Sequence, residues 1–324
     1  MLALALQGIG GMNSFSGGVL HTFRQNNLTP DLISATSGAI LSAYYFLQSD
    51  KDALLKFYRE YFESNQDGVP DVLKFYSHTM LGLPGVFRPI YPLERLAEAK
   101  QLLSSKDWLN FLFPNKLYKP TRPYSFFEDV AELFQASSTG VIINAYNYDL
   151  DKAVLYVNKA ALEKTDLVLG NGKRYIVREL TPEGVISSLQ LLQYGDYRGE
   201  YDGAYQFNPV VHPLTVAEKI VLVAVEPIGK SLKPMENYFD VEDFKLKMMF
   251  KNAIYAELNS IDLINKLIRG QLLSHEKYKE ITVDIIQPSL FRGYFDYFQE
   301  EPDFFHDGVK QAEAFFAEKV EHQK

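Results

Sequence analysis

The stretch from Leu2 to Tyr45 constrains this chain more than any other. An apolar run, Leu2 to Leu6, opens into a loop carrying Gly8, Gly10, Gly11, Gly17 and Gly18. A helical pattern covers Gly18 to Gln25, and a second apolar run, Asp31 to Ala35, ends at Ser37. A helix of small residues then begins at Gly38. The order is strand, glycine loop, helix, strand, serine, helix, which is the grammar of an α/β fold with a mostly parallel sheet.

Two features of this stretch carry chemistry. Glycines after a strand let backbone N–H groups point into open space, where they can hold a phosphate or the oxyanion of an acyl transfer. Ser37 lies in Ala35-Thr36-Ser37-Gly38-Ala39. A serine at a tight strand-to-helix turn is a nucleophile elbow, whose neighbours two residues away must be small. The common pattern there is G-x-S-x-G, and here both flanking positions are alanine. A serine just before a helix also reads as an ordinary N-cap.

A second segment lies far downstream, Glu200-Tyr201-Asp202-Gly203-Ala204-Tyr205-Gln206-Phe207-Asn208-Pro209. By itself Asp-Gly is a turn. Together the two segments resemble the patatin-like phospholipase (patatin-like acyl hydrolase) family. That family has a glycine-rich oxyanion loop after its first strand, a serine elbow after its second, and D-G-G/A followed by N-P. Setting Gly18-Val19-Leu20 on the family's G-V-L puts Gln7 to Asn13 on its D-G-G-G-x-R-G. Asn144 to Val157, Ile186-Ser187-Ser188 and Lys219 to Glu226 resemble further family segments in order. Departures are Ile9 for the middle glycine, Met12 for the arginine, Asn13 for the next glycine, and Ala35 and Ala39 at the elbow.

The resemblance implies one domain over residues 1–324, an α/β/α three-layer sandwich, and hydrolysis of carboxylic esters of phospholipids or related lipids. It implies Ser37 as nucleophile, Asp202 as general base acting on it directly, and Gly8, Ile9, Gly10 and Gly11 as the oxyanion loop. It implies neither metal nor organic cofactor. The alternative is a catalytically inactive patatin-like scaffold that binds lipid or protein. A nucleotide-binding reading of the glycine loop lacks the P-loop lysine and the G-x-G-x-x-G spacing. His212, near Asp202 in sequence, leaves a Ser-His-Asp triad open on residues alone, whereas the resemblance implies a dyad.

The formal net charge of −8, with no basic stripe, argues against a nucleic-acid partner and against simple adhesion to anionic lipid. The absence of cysteine excludes disulfides and thiolate chemistry and fits a reducing, cytoplasmic setting. Met1 to Leu6 lacks a basic n-region and a cleavage site, and no run reaches the ~18 apolar residues of a spanning helix. The expectation is a soluble protein, in peripheral membrane contact at most.

Residues 51–135 read as a helical insertion after the serine, a candidate lid. Helices are expected at 52–62, 72–83 and 92–103, and irregular structure at 106–127. Trp108, Phe111, Phe113, Phe126 and Phe127 would line an acyl-chain wall or, more simply, pack a helical layer. Further on, hairpins are expected at 140–157 and at Gly170-Asn171-Gly172, with Tyr148 to Asp151 as a turn rather than a calcium loop. A helix should start at Thr181-Pro182-Glu183, and Tyr194 to Tyr205 should form the loop bearing Asp202. A short polar link, Thr215 to Lys219, should lead to a buried strand at Ile220 to Val225. Beyond lie a long amphipathic helix with a basic start at Val241 to Ile268, a strand at Glu280 to Gln287 and a helix at Phe304 to Glu321.

Overall fold

The computed structural model describes residues 1–64, 86–90, 108, 118–192, 199–229, 234–274, 279–293 and 302–321. The expected helices at 72–83 and 92–103, and Phe111 and Phe113, lie outside them. In chain order the elements are β1 (Leu2–Leu6), α1 (Asn13–Gln25), β2 (Leu32–Ala35), α2 (Ala39–Leu47), α3 (Ala53–Ser64), β3 (Phe87–Pro89), β4 (Tyr118–Pro120), α4 (Tyr124–Ala136), β5 (Gly140–Asn147) and β6 (Lys152–Val157). They continue as α5 (Lys159–Lys164), β7 (Gly170–Asn171), β8 (Tyr175–Glu179), α6 (Pro182–Leu189), β9 (Glu200–Asp202), β10 (Lys219–Val223), α7 (Tyr238–Arg269), β11 (Thr282–Ile286) and α8 (Pro302–Glu321).

The protein is α/β, with a mostly parallel mixed sheet and helices on both sides. Strand order is β11-β10-β1-β2-β5-β6-β8-β7, with β9 also paired to β5. The alternation of β1 explains the two faces. Leu4 and Leu6 join the core under α1, α2, α4 and α8, while Ala3 and Ala5 face the opposite core with Leu214, Ile254 and Ile261. Successive strand residues point to opposite faces, so one short run seeds both cores. No helix among the described residues is long and apolar enough to cross a membrane.

β2 ends at Ala35, but its neighbour β5 runs on for four more residues, to Asn147. The vacated edge of β5 is filled by β9, which pairs antiparallel with Ala145, Tyr146 and Asn147. Ala35 pairs with Ile143 and Asp202 with Ala145. The chain two residues beyond Ala35 therefore meets Asp202 at the same level of the sheet.

Several expectations need correction. Helix α1 begins at Asn13, not Gly18, because Gly17 and Gly18 are packing residues rather than loop residues. A Cβ on Gly17 would lie 2.1 Å from the Tyr58 ring, and one on Gly18 would lie 2.0 Å from the Phe305 carbonyl oxygen. Gly308 on α8 reciprocates against the Phe15 carbonyl oxygen at 2.2 Å. Asp202 ends a strand instead of lying in a loop, and residues 212–216 form a 3-10 turn in place of a polar link. The start of α7 is acidic, not basic: Asn237 and Asp240 close a capping box, which favours negative charge in the first turn. Within 106–127, expected to be irregular, β4 pairs with β3 and α4 begins at Tyr124. Phe127 is core and Phe126 packs edge-to-face on Tyr44, while Trp108 is exposed.

The α1–α8 crossing generates a prediction. Gly308→Val places a side chain against backbone that cannot yield, so it should lower stability by about 1–3 kcal/mol in denaturant melts. A melt indistinguishable from wild type would contradict this close packing.

Candidate active site

Ser37 follows β2 by two residues and precedes α2, with φ of +53°. This left-handed conformation is costly for a residue with a Cβ, and here it turns the chain sharply at the strand end. The residue at the N-cap of α2 is Gly38, which has no side-chain cap, so the Ser37 hydroxyl is not used as a cap. That hydroxyl lies beside the Asp202 carboxyl and favours its charged form.

Asp202 is buried, at 1% exposure. Burial pushes its pKa up to about 7, while the Ser37 hydroxyl and the Ala204 N–H, which donates to Oδ1 at 2.8 Å, pull the other way. The chemical result is a carboxyl group that changes charge near neutral pH, in contact with a serine in a strained turn. Two residues earlier on β9, Glu200 is held by Arg178 Nη1 (2.6 Å), Asn147 Nδ2 (2.9 Å) and the Tyr156 hydroxyl. These bonds pin β9 against β5.

The glycine loop crosses directly over the elbow. A Cβ at Gly8 would lie 1.8 Å from the Thr36 carbonyl oxygen, so only glycine allows this approach. Asn208 grips Gly8 from both sides: its Oδ1 accepts the Gly8 N–H and its Nδ2 donates to the Gly8 carbonyl, both at 2.9 Å. Asn144 accepts from the Thr36 hydroxyl at 2.8 Å and donates to the Phe207 carbonyl at 3.0 Å. Two buried asparagines thus tie the loop, the elbow and the segment after Asp202 into one unit.

The four residues named for the oxyanion loop differ in what they leave available. The Gly8 N–H is committed to Asn208, and the Ile9 N–H donates to Asn13 Oδ1 at 3.3 Å. The N–H groups of Gly10 and Gly11 meet no protein acceptor among the described residues, and neither does that of Gly38. Gly10 has φ of +39°, which turns the loop at this point. Met12 and Asn13 secure the loop. Met12 packs in the core at 1% exposure, and Asn13 bonds the loop at Ile9 N–H and the Gly10 carbonyl. The Asn13 carbonyl in turn accepts from the Tyr58 hydroxyl at 2.9 Å.

His212 belongs to another cluster. Its ring lies 6.0 Å from that of Tyr175, its backbone N–H donates to Glu257 at 2.9 Å, and Arg174 pairs with the same Glu257. Burial, with a smaller contribution from Arg174, holds its pKa below the usual value. The partners of the Asp202 side chain are Ser37 and Ala204, not His212.

Sequence reading missed the roles of Asn13, Asn144, Asn208 and the Gly38 N–H. Asn144 carried a signal, a lone amide inside the apolar run Gly140 to Ala145, since a buried amide must find partners. No protein-family model matches the chain, and no curated protein matches it either.

The amide clamp can be tested by stability alone. Asn208→Ala strands both the N–H and the carbonyl of buried Gly8, which should cost on the order of 2–4 kcal/mol in a chemical melt. A cost below about 0.5 kcal/mol, the scale of an ordinary surface change, would show that the clamp does not hold the loop.

Proposed function

We propose that this protein is a serine hydrolase of the patatin-like type, cleaving carboxylic esters of phospholipids or related lipids through a Ser37–Asp202 dyad. The observation that carries the reading is the nearness of the strained Ser37 to a buried aspartate whose pKa burial pushes up to about 7. The two residues are 165 positions apart in sequence, yet the end of β2 and the placement of β9 bring them into contact.

In the proposed reaction the Ser37 oxygen attacks the ester carbonyl carbon while Asp202 takes the hydroxyl proton. Negative charge develops on the carbonyl oxygen, where the free N–H groups of Gly10, Gly11 and Gly38 would donate. As the tetrahedral intermediate collapses, Asp202 returns the proton to the departing alcohol, leaving an acyl group on Ser37. Water then attacks this acyl-enzyme, gives a proton to Asp202 and releases the acid. The proton returns to the Ser37 oxygen. Lipid as the substrate class rests on the family resemblance of the motifs.

The dyad fixes the pH dependence. Asp202 must be ionised to accept the proton, so kcat/KM should rise about tenfold per pH unit below about 7 and level off above it. Ser37→Ala and Asp202→Asn should each remove about three orders of magnitude or more, and the double variant should be no worse than either. His212→Ala should leave most of the activity. A fluorophosphonate probe should label Ser37 in the wild type. Loss of activity in His212→Ala with retention in Asp202→Asn would make the site a histidine-based hydrolase. An unlabelled Ser37 with no ester cleavage would leave an inactive, binding scaffold.

The same group makes a stability prediction with a definite sign. Asp202 keeps its proton in the folded chain up to about pH 7, whereas an unfolded aspartate loses it near 3.8. Its contribution to stability therefore falls as pH rises from about 4 to 7. Asp202→Asn removes that dependence, and at pH 8 it should melt at or above the wild-type temperature. A clearly lower melting temperature at pH 8 would contradict the burial cost assigned to Asp202.

A further inference from the structure

A cleft lies on the face of the sheet away from Asp202. Asp202 pairs with Ala145, which packs in the core under α1 and α2. Tyr175, at the start of β8, pairs with Ala153, and both pack in the opposite core. Paired residues share a face of the sheet, so Asp202 and Tyr175 point to opposite sides. The cleft beside Tyr175 is therefore separate from the candidate active site, and a ligand in it does not depend on Ser37 being a nucleophile. Its volume is about 310 Å³. That is room for roughly ten non-hydrogen atoms, at about the 30 Å³ that one water takes up in the liquid.

The walls are apolar at Leu167, Val177, Pro213 and Val216, with charged and polar groups set among them. Arg174 and Asp166 line the same cleft with opposite charges, yet among the described residues they do not pair with each other. Arg174 gives one N–H to Glu257 at 2.9 Å and lies 5.2 and 5.5 Å from the Tyr175 and Phe207 ring centres. The rest of its donor fork is unspent among the described residues. Neither Asp166 nor the His212 ring makes a hydrogen bond or ion pair among them. Burial, with a smaller contribution from Arg174, keeps His212 uncharged near neutral pH, so its ring offers one N–H. The Tyr175 hydroxyl, on a residue 6% exposed, meets no partner, an uncommon state for a buried polar group.

These groups specify the charge of a ligand. Glu257 already balances Arg174, so a simple anion gains little and meets Asp166 as well. A simple cation meets Arg174. A molecule carrying both signs satisfies both groups, and the space between Arg174 and Asp166 is left for it. We propose that this cleft binds a small zwitterion with an apolar body, an apolar α-amino acid by its chemistry. Its carboxylate sits on the Arg174 fork and the His212 ring, its ammonium on Asp166 and its side chain against Leu167, Val177, Pro213 and Val216. The planar arginine fork suits a carboxylate, and mostly apolar walls with a few placed polar groups are the usual make-up of a small-molecule site.

The test is a ligand-observed NMR titration of the full chain with three probes. They are L-leucine, 4-methylpentanoate, which lacks the ammonium, and 3-methylbutylamine, which lacks the carboxylate. Leucine should bind with a Kd of about 1 mM or tighter, and each single-charge analogue at least about tenfold more weakly, because a charge-assisted bond is lost. Asp166→Asn should weaken leucine about tenfold and leave 4-methylpentanoate unchanged, whereas Arg174→Gln should weaken both. Asp166 is exposed, so its variant should melt as the wild type does. It keeps the test decisive even if Arg174→Gln, which strands buried Glu257, fails to fold. No leucine binding at about 10 mM, the upper end of a weak small-molecule site, would overturn the proposal. So would 4-methylpentanoate binding as tightly as leucine, or leucine binding that Asp166→Asn leaves unchanged.

Discussion

The burial of Asp202 is the interaction on which the rest of the site depends. Raising a carboxyl group from 3.8 to about 7 disfavours its charge by on the order of 4 kcal/mol. The fold keeps a group like this only where something holds it firmly. Here that is strand pairing of β9 on β5, reinforced by the Glu200 bonds to Arg178, Asn147 and Tyr156. The shortness of β2 is the topological cause. Had β2 continued past Ala35 along β5, β9 would have no edge to occupy and Ser37 would lie in a strand.

Around this pair the backbone is crowded, and each crowding point demands a particular residue. Gly8 touches the Thr36 carbonyl, and a Cβ on Gly203 would lie 2.1 Å from the Asn144 amide nitrogen. Asn144 and Asn208 then fill the polar needs that this close packing creates. A half-satisfied buried network is expensive, whereas a satisfied one fixes a single arrangement. Asn208 and Asn13 bind the Gly8 and Ile9 N–H groups, while those of Gly10 and Gly11 meet no acceptor among the described residues.

Much of the fold was legible because its signals are local. The alternation in Leu2 to Leu6, the Thr181 cap before Pro182 and the turn at Gly170 to Gly172 each specify structure from neighbouring residues. Ser37 and Asp202 were legible as motif positions, and the structure brings them together. What escaped were features set by distant partners. Gly17 and Gly18 read as loop because sequence carries no record of Tyr58 and Phe305 lying against them. Asp202 read as a loop residue because its three-residue strand exists only as a replacement for β2. The amide clamp joins Gly8 to a residue 200 positions away, beyond any local pattern.

The most direct measurement is a carbon-detected NMR titration of the Asp202 carboxyl in wild type and in Ser37→Ala. A wild-type midpoint near 7, moving higher when the Ser37 hydroxyl is removed, is the expected result, because burial raises the value and that hydroxyl lowers it. A midpoint near 4 in the wild type, or one unchanged by Ser37→Ala, would contradict a buried aspartate acting with Ser37 as one unit.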